Sequence, residues 1–155
     1  MATEDLTPSV LKTLPSWLLT QSAIHAHRIV GEAFSAADAR GYHYRLLAAL
    51  EEFGPASQAT LGRRGGIDRS DVVAALNELA DQGYVERTPD PDDRRRNIVS
   101  LTPAGRRQLQ RLDKLVKRAQ DELCTPLSEA ERKRLVQLLA KVLDHHTGSD
   151  HQAGA

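Results

Sequence analysis

A single change of hydrophobic period near residue 84 constrains this fold more than any other feature of the sequence. Before it, apolar residues recur at spacings of three and four, which is typical of α-helices. From Tyr84 to Thr88 and from Asn97 to Leu101, a period of two replaces this spacing, which is typical of β-strands. The segment between them is rich in proline and aspartate, which favour turns. The sequence therefore predicts one long-looped β-hairpin in a mainly α-helical chain.

Two short helices separated by a tight turn precede the hairpin. The first is predicted from the N-cap Ser57 to Arg64, and Gly65-Gly66 forces the turn. The second has Asp68 as its expected N-cap and ends before Gly83. A helix–turn–helix followed directly by a hairpin is a winged helix, in which the second helix can enter the major groove of DNA.

Longer helices flank this unit, and their apolar stripes are wider than one small core needs. We expect a flexible lead-in over residues 1–14, one domain over 15–146 and a disordered tail over 147–155. Within the domain, dimerisation helices are predicted at about 15–40 and 103–146, on either side of a winged helix at about 42–102. A second copy of the chain would cover the unused stripes.

The charge distribution points to a polyanionic partner. The chain of 155 residues has 21 basic and 21 acidic side chains, but residues 61–118 carry 13 of the basic and only 9 of the acidic ones. Cys124 is the only cysteine, which excludes an intramolecular disulfide and is typical of a reducing compartment. The sequence shows neither a membrane span nor a signal peptide, so we expect a cytoplasmic protein without a membrane partner.

The residues around the hairpin carry a family resemblance. They comprise Ile67 to Val73, Gly83-Tyr84-Val85, the run from Asp90 to Arg95, and Val99-Ser100-Leu101-Thr102-Pro103-Ala104-Gly105. In this order they resemble the MarR family of bacterial winged helix–turn–helix transcriptional regulators. The resemblance implies a homodimer that binds pseudo-palindromic operator DNA, usually as a repressor. It also implies release by a small effector bound between the dimerisation helices and the winged helix.

The wing carries the first group of candidate DNA-binding residues. Arg94, Arg95 and Arg96 lie in the hairpin loop, where guanidinium groups suit the negative potential of a narrow minor groove. By resemblance, Asp92 orients Arg94, which inserts into the groove. The alternative is that the neighbouring aspartates neutralise these arginines in a surface network.

The two short helices carry the second group. Arg69, Ser70 and Asp71 begin the recognition helix, where free N–H groups favour phosphate. Arg69 could read guanine in the major groove or only clamp a phosphate. Ser57 and Gln58 begin the preceding helix and are expected to position phosphate.

The effector site is the least constrained prediction. The candidates near the family's effector crevice are Trp17, His25, Arg28, His43 and Tyr44, which could stack on and hydrogen-bond an aromatic acid. Ordinary packing and solvated surface positions are the alternative. His25 and His43 are candidate zinc ligands, so a zinc-responsive regulator of the same fold stays open, although no cofactor or resident metal is expected.

The sequence also bears on two other function classes. An enzyme is not expected, because Gly62, Gly65 and Gly66 are not followed by the Lys and Ser or Thr of a phosphate-binding loop, and no nucleophile–base pair can be assembled from the spacing. A helical dimer that binds a protein partner without operator binding is the other alternative, and the arginine-rich tip argues against it.

Overall fold

The computed structural model describes residues 5–153, and the side chains of residues 5–148. After a short 3-10 helix, Leu11–Thr13, the described residues form six α-helices and three strands. In chain order they are α1 Pro15–Ser35, α2 Gly41–Phe53, β1 Ala56–Ser57, α3 Gln58–Gly65, α4 Arg69–Asp81, β2 Val85–Pro89, β3 Asn97–Leu101, α5 Pro103–Leu123 and α6 Glu129–Ala153. The predicted mainly α-helical winged helix is confirmed. Over the described part of the chain, no helix is long and apolar enough to cross a membrane.

The wing belongs to an antiparallel sheet with the strand order β1-β3-β2. The sequence predicts only two strands, and β1 is the additional one. Ala56 pairs with the fully buried Val99, and Arg87 pairs with Val99 from the other side. A strand of two residues shows no alternation of its own, so only its pairing partner reveals it.

Side-chain caps fix the ends of the predicted helices. The Ser57 hydroxyl accepts the Thr60 N–H at 3.3 Å, and the Thr102 hydroxyl accepts the Gly105 N–H at 3.0 Å. Asp68 occupies the N-cap position of α4, but its side chain makes no capping hydrogen bond, which corrects the prediction. The exposed Asp68 carboxylate is left to solvent, and the backbone begins α4 through the bond from Val72 N–H to the Asp68 carbonyl at 2.9 Å.

The core lies where α2, α3, α4 and β3 meet. Its fully buried side chains are Leu46, Leu47, Leu61, Leu76, Leu79, Leu112, Val72 and Val99. Leu109 and Leu112 of α5 belong to this cluster. The first half of the α5 apolar stripe is therefore covered within its own chain.

The join between the hairpin and α5 depends on one glycine. A Cβ atom at Gly105 would lie 2.0 Å from the Tyr84 carbonyl oxygen, which is far inside van der Waals contact. Thr102 also donates its hydroxyl to the Gly83 carbonyl at 2.7 Å. The start of α5 therefore packs directly against the backbone that leads into β2.

The chain divides into two compact units, one up to Gln120 and one from Asp121. The second contains the end of α5 and α6, joined by an ion pair between Arg132 and Asp121 at 2.6 Å. Ser128 and Glu131 form a reciprocal cap at the start of α6. Its exposed apolar side chains are Leu135, Val136, Leu138, Leu139, Val142 and Leu143.

Both ends of the chain differ from the prediction. Residues 11–13 of the predicted lead-in form the 3-10 helix, and residues 1–4 lie outside the described part. α6 continues to Ala153, beyond residue 147, where a disordered tail is predicted. No proline follows Leu143, and a single glycine such as Gly148 costs a helix only about 1 kcal/mol, so nothing local stops the helix. Residues 154 and 155 lie outside the description.

Candidate nucleic-acid interface

A cleft of about 640 Å³ lies between α3, the start of α4 and the wing. Ile67 and Val72 provide apolar lining at its base. The charged side chains around it are Arg63, Arg69, Arg95, Arg96 and Asp68. Four guanidinium groups and one carboxylate line the cleft, and this excess of basic side chains suits a polyanion partner.

A buried aspartate organises the tip of the wing. Asp90 is only 8% exposed, and its Oδ1 accepts the Asp92 N–H at 2.9 Å. The Arg96 guanidinium lies 3.4 Å from Asp90 Oδ2 and 3.7 Å from Asp93 Oδ2. The Asp90 N–H also donates to the Arg96 carbonyl at 2.9 Å, which closes the loop. Arg96 therefore holds the shape of the tip.

Arg95 has the same kind of partner in a more exposed setting. Asp93 Oδ1 accepts its backbone N–H at 3.1 Å and its Nε at 3.3 Å. The Arg95 side chain is nevertheless 92% exposed. An ion pair in that environment contributes little to stability and leaves the guanidinium available.

Arg94 is different from both neighbours. It is exposed, and within residues 5–148 it makes no ion pair or side-chain hydrogen bond. The predicted orientation of Arg94 by Asp92 is not formed, because Asp92 meets Asp90 through its backbone and the arginine-binding carboxylates are Asp90 and Asp93. The alternative surface network exists, but it includes Arg95 and Arg96 and not Arg94.

The start of α4 presents the second group of candidates. Arg69 is the first residue of the helix and lines the cleft, and Ser70 is exposed beside it. Asp71 is half-buried in the first turn. The first-turn N–H groups of a helix have no intrahelical acceptor, so this end of α4 favours an anion.

Ser57 and Gln58 also line the cleft. The Ser57 hydroxyl caps α3 and donates to Thr60 Oγ1 at 3.0 Å, so its first role is structural. Arg63 donates to the same Thr60 oxygen at 3.2 Å, which holds its guanidinium over α3.

Two contacts to α4 were missed from the sequence. Arg87 of β2 donates to Asn77 Oδ1 at 2.8 Å and so joins the wing to the middle of the helix. His43 of α2, only 3% exposed, lies 2.7 Å from Glu78 Oε2. These partners are 10 and 35 residues apart, and no local pattern marks such pairs.

The predicted effector residues are not gathered in one place. Tyr44 donates to Asp113 Oδ1 at 2.8 Å, and burial together with this bond raises the pKa of Tyr44 to about 12. Arg28 lies 3.6 Å from Glu32, Trp17 is half-buried and His25 is exposed. His43 lines a second cleft of about 560 Å³ beside α2, but the other four candidates line neither cleft.

The described residues also bear on the zinc alternative. None of their His, Cys, Asp and Glu side chains form a group of three or more that could hold a metal ion. Both ring nitrogens of His43 are already engaged, by the Arg40 N–H and by Glu78. Cys124 is a half-buried free thiol.

The known proteins that this chain resembles include transcriptional regulators of the MarR family. The sequence profile of the MarR family matches residues 38–96. The transcriptional repressor NicR of Pseudomonas putida is 32% identical over 108 residues, which cover 70% of this chain and 66% of NicR. The chain spans 60 to 66% of the length of the first curated relatives that it matches.

Two solved structures show the fold with different partners. The transcriptional repressor CouR, bound to a 23-mer DNA duplex, superimposes with a TM-score of 0.81 at 28% identity and covers 90% of this chain and 99% of its own. The PcaV regulator of Streptomyces coelicolor, in complex with its natural ligand, gives a TM-score of 0.74 at 28% identity and covers 93% and 98%.

Proposed function

The chain belongs to the MarR family, and we propose that it is a homodimeric, sequence-specific DNA-binding repressor that a small effector releases from its operator. One observation carries this proposal. Arg94 on the wing and Arg69 at the start of α4 have no carboxylate partner among the described residues, although the aspartates of the wing pair with Arg95 and Arg96. Cationic side chains kept free beside an electropositive cleft suit a polyanion.

The two arginines would contact different parts of the duplex. α4 is 13 residues long and presents Arg69 at its exposed beginning, where a helix in the major groove can reach guanine O6 and N7. Arg94 would enter the adjacent minor groove, whose narrow form attracts guanidinium groups. Arg63, Arg95, Ser57 and Gln58 would meet phosphates around the cleft. CouR, which has a similar fold, was solved bound to a 23-mer DNA duplex, and this supports DNA as the partner.

A second copy of the chain would place two such units on one face of DNA. Leu18, Leu19 and Ile24 of α1 are exposed, as are six large apolar side chains of α6. Each of these surfaces is costly in water and would be covered in a homodimer. With two-fold symmetry, the recognition helices would meet half-sites about 34 Å apart. We place this activity in the bacterial cytoplasm, where the DNA is.

The effector part of the proposal rests on the relatives. PcaV was solved with its natural ligand, and NicR is a repressor, which supports ligand-controlled repression. An aromatic acid is our proposed ligand class, with Trp17, His25, Arg28, His43 and Tyr44 as the residues to examine. The relatives are transcription regulators and not enzymes, so no catalytic role is proposed.

In vitro selection from random duplexes tests the central claim. The purified chain should enrich a pseudo-palindromic duplex, here called the selected duplex, and should sediment as a dimer at micromolar concentration. The affinity should fall steeply with added salt, because several phosphate contacts release counterions. Failure to enrich any sequence over the starting pool, or a monomer at that concentration, would overturn the proposal. Thermal-shift screening of aromatic acids and of zinc would then test the effector class.

A further inference from the structure

The buried histidine of α2 connects the beginning of that helix to α4. His43 is the third residue of α2, and its Nδ1 accepts the Arg40 N–H at 3.3 Å just before the helix begins. Its Nε2 lies 2.7 Å from Glu78 Oε2 on α4. The other oxygen of Glu78 lies 3.5 Å from an Arg40 guanidinium nitrogen. One carboxylate on α4 is thus held by two side chains from the beginning of α2.

These contacts fix the tautomer of the ring. A backbone N–H can only donate, so Nδ1 carries no proton, and Nε2 must carry the proton that Glu78 accepts. The usual residue at the third position of a capped helix is Glu or Gln, whose side chain accepts the N–H of the N-cap residue. Histidine has a second nitrogen on the far side of the ring, so it can cap α2 and bind α4 at once.

The position of Glu78 on α4 gives this contact its significance. Arg69 begins the same helix, and Asn77, next to Glu78, accepts from Arg87 of the wing. α4 is therefore held from one side by β2 and from another by the start of α2. Rotation of the helix about its axis would break both bonds and would move Arg69.

We propose that His43 is a positioning residue for DNA recognition: its Nε2–H holds Glu78 and thereby sets the rotation of α4 that aims Arg69 at a base. This inference rests on the proposed DNA-binding function. Other charged groups line the same cleft, namely Asp38, Arg40 and Asp81, but the carboxylates of Asp38 and Asp81 make no hydrogen bond or ion pair within residues 5–148. His43 and Arg40 are the side chains that hold Glu78.

A matched pair of substitutions separates the two bonds of His43. The amide of His43→Gln can reach the position of Nε2 and donate to Glu78, and that of His43→Asn can reach only the position of Nδ1 and cap α2. We expect His43→Asn to lower the preference for the selected duplex over a random duplex at least tenfold, and His43→Gln to keep it within threefold. The salt dependence should be the same in both, because the phosphate contacts remain.

Further variants exclude a general loss of stability. Glu78→Ala should lose preference as His43→Asn does, and the double variant should lose no more than either single one, because both remove the same bond. Asp81→Ala is the matched control, since it removes a carboxylate from the same helix and cleft without touching His43. Leu47→Ala lowers the melting temperature from within α2 and should leave the preference unchanged.

Nitrogen-15 NMR of the free protein gives a readout that does not need DNA. The His43 ring should show an unprotonated Nδ1 and a protonated Nε2 at neutral pH. A protonated Nδ1, or equal preference for the selected duplex in the Asn and Gln variants, would overturn the inference. If the wild-type chain selects no duplex at all, the proposed function fails first and the inference falls with it. If it selects one and the two variants behave alike, only the inference fails.

Discussion

The tip of the wing and the beginning of α4 both present arginine beside aspartate, but only at the tip do the two form ion pairs. At the tip, Asp90 and Asp93 pair with Arg95 and Arg96 within hydrogen-bonding or ion-pair distance. At the beginning of α4, Arg69 has Asp68 before it and Asp71 after it, yet it pairs with neither. Sequence proximity of opposite charges is thus a poor guide to which pairs form.

The difference has a geometric cause. The wing loop folds back on itself, so side chains two to six residues apart can meet, and the buried Asp90 gives Arg96 a fixed partner. In a helix, neighbours at one and two residues point in different directions. Arg69 therefore stays free on α4, and Arg94 is the one arginine of the tip that the aspartates leave unpaired. These contacts separate the arginines that hold the structure from those that we propose to read DNA.

Removal of the unpaired arginine of the wing should have the largest effect. Arg94→Ala should weaken binding of the selected duplex more than about tenfold at moderate salt, because a minor-groove contact is lost. Fluorescence anisotropy measures this directly. Arg111→Ala, an exposed arginine of α5 without a partner in residues 5–148, is the control for loss of one charge. Equal affinity in the Arg94 variant and the wild type would refute the assignment.

The second arginine should change discrimination more than total affinity. Arg69→Ala should reduce the ratio of affinities for the selected and the random duplex by about tenfold, since a bidentate guanine contact contributes about 1–3 kcal/mol of discrimination. Both duplexes are titrated side by side. An equal loss of affinity for both duplexes would instead make Arg69 a phosphate contact. Arg69 and the wing arginines would then differ in their ion pairs but not in base recognition.

A paired arginine should matter mainly through the order of the loop. Arg96→Ala removes the partner of the buried Asp90 and should speed amide exchange at Asp90, whose N–H bonds to the Arg96 carbonyl. Duplex affinity should fall only about three- to fivefold, which is less than a direct base or groove contact contributes. Arg95→Ala is the comparison. Arg95 pairs with Asp93 in an exposed position, so the loss of this pair should leave amide exchange at Asp90 unchanged. If Arg96→Ala weakens binding as much as Arg94→Ala does, the proposed division of roles is wrong.

Substitution of Tyr44, which does not line the cleft, should leave DNA binding unchanged. Tyr44→Phe removes the bond to Asp113 and should lower the free energy of unfolding by about 1 kcal/mol. The pKa of Tyr44 is raised from 10.0 to about 12, so the stability it contributes is present below pH 10 and is lost as the pH rises towards 12. Thermal unfolding at alkaline pH should show that the Tyr44→Phe variant does not undergo this particular loss of stability. A changed duplex affinity would show that the interface extends beyond the cleft.

The sequence was most informative where structure is local. The cap at Ser57 and the end of α4 before Gly83 follow from a few adjacent residues, and both are confirmed. The strand β1 and the bond from His43 to Glu78 were missed, because each needs a partner far along the chain. The pairing of Asp92 with Arg94 came from resemblance alone, and the buried position of Asp90 shows why a different aspartate binds arginine here.

The sequence predicts which segments form the candidate site, but it does not predict which arginines hold the structure and which stay unpaired. The sequence identifies the arginine-rich loop and the start of the recognition helix, because charge and capping patterns mark them. It does not show that Asp90 is buried or that the Tyr44 hydroxyl is already bonded to Asp113, since both depend on packing. The DNA contacts themselves stay predictions.

The missing side chain at Gly105 makes this position intolerant to mutation. Even the single methyl group of alanine would occupy the space of the Tyr84 carbonyl oxygen, so the helix would have to move away from the strand. In a library that samples every amino acid at this codon, we expect glycine alone to survive selection for repression. An insertion between the wing and α5 must therefore be placed away from Gly105.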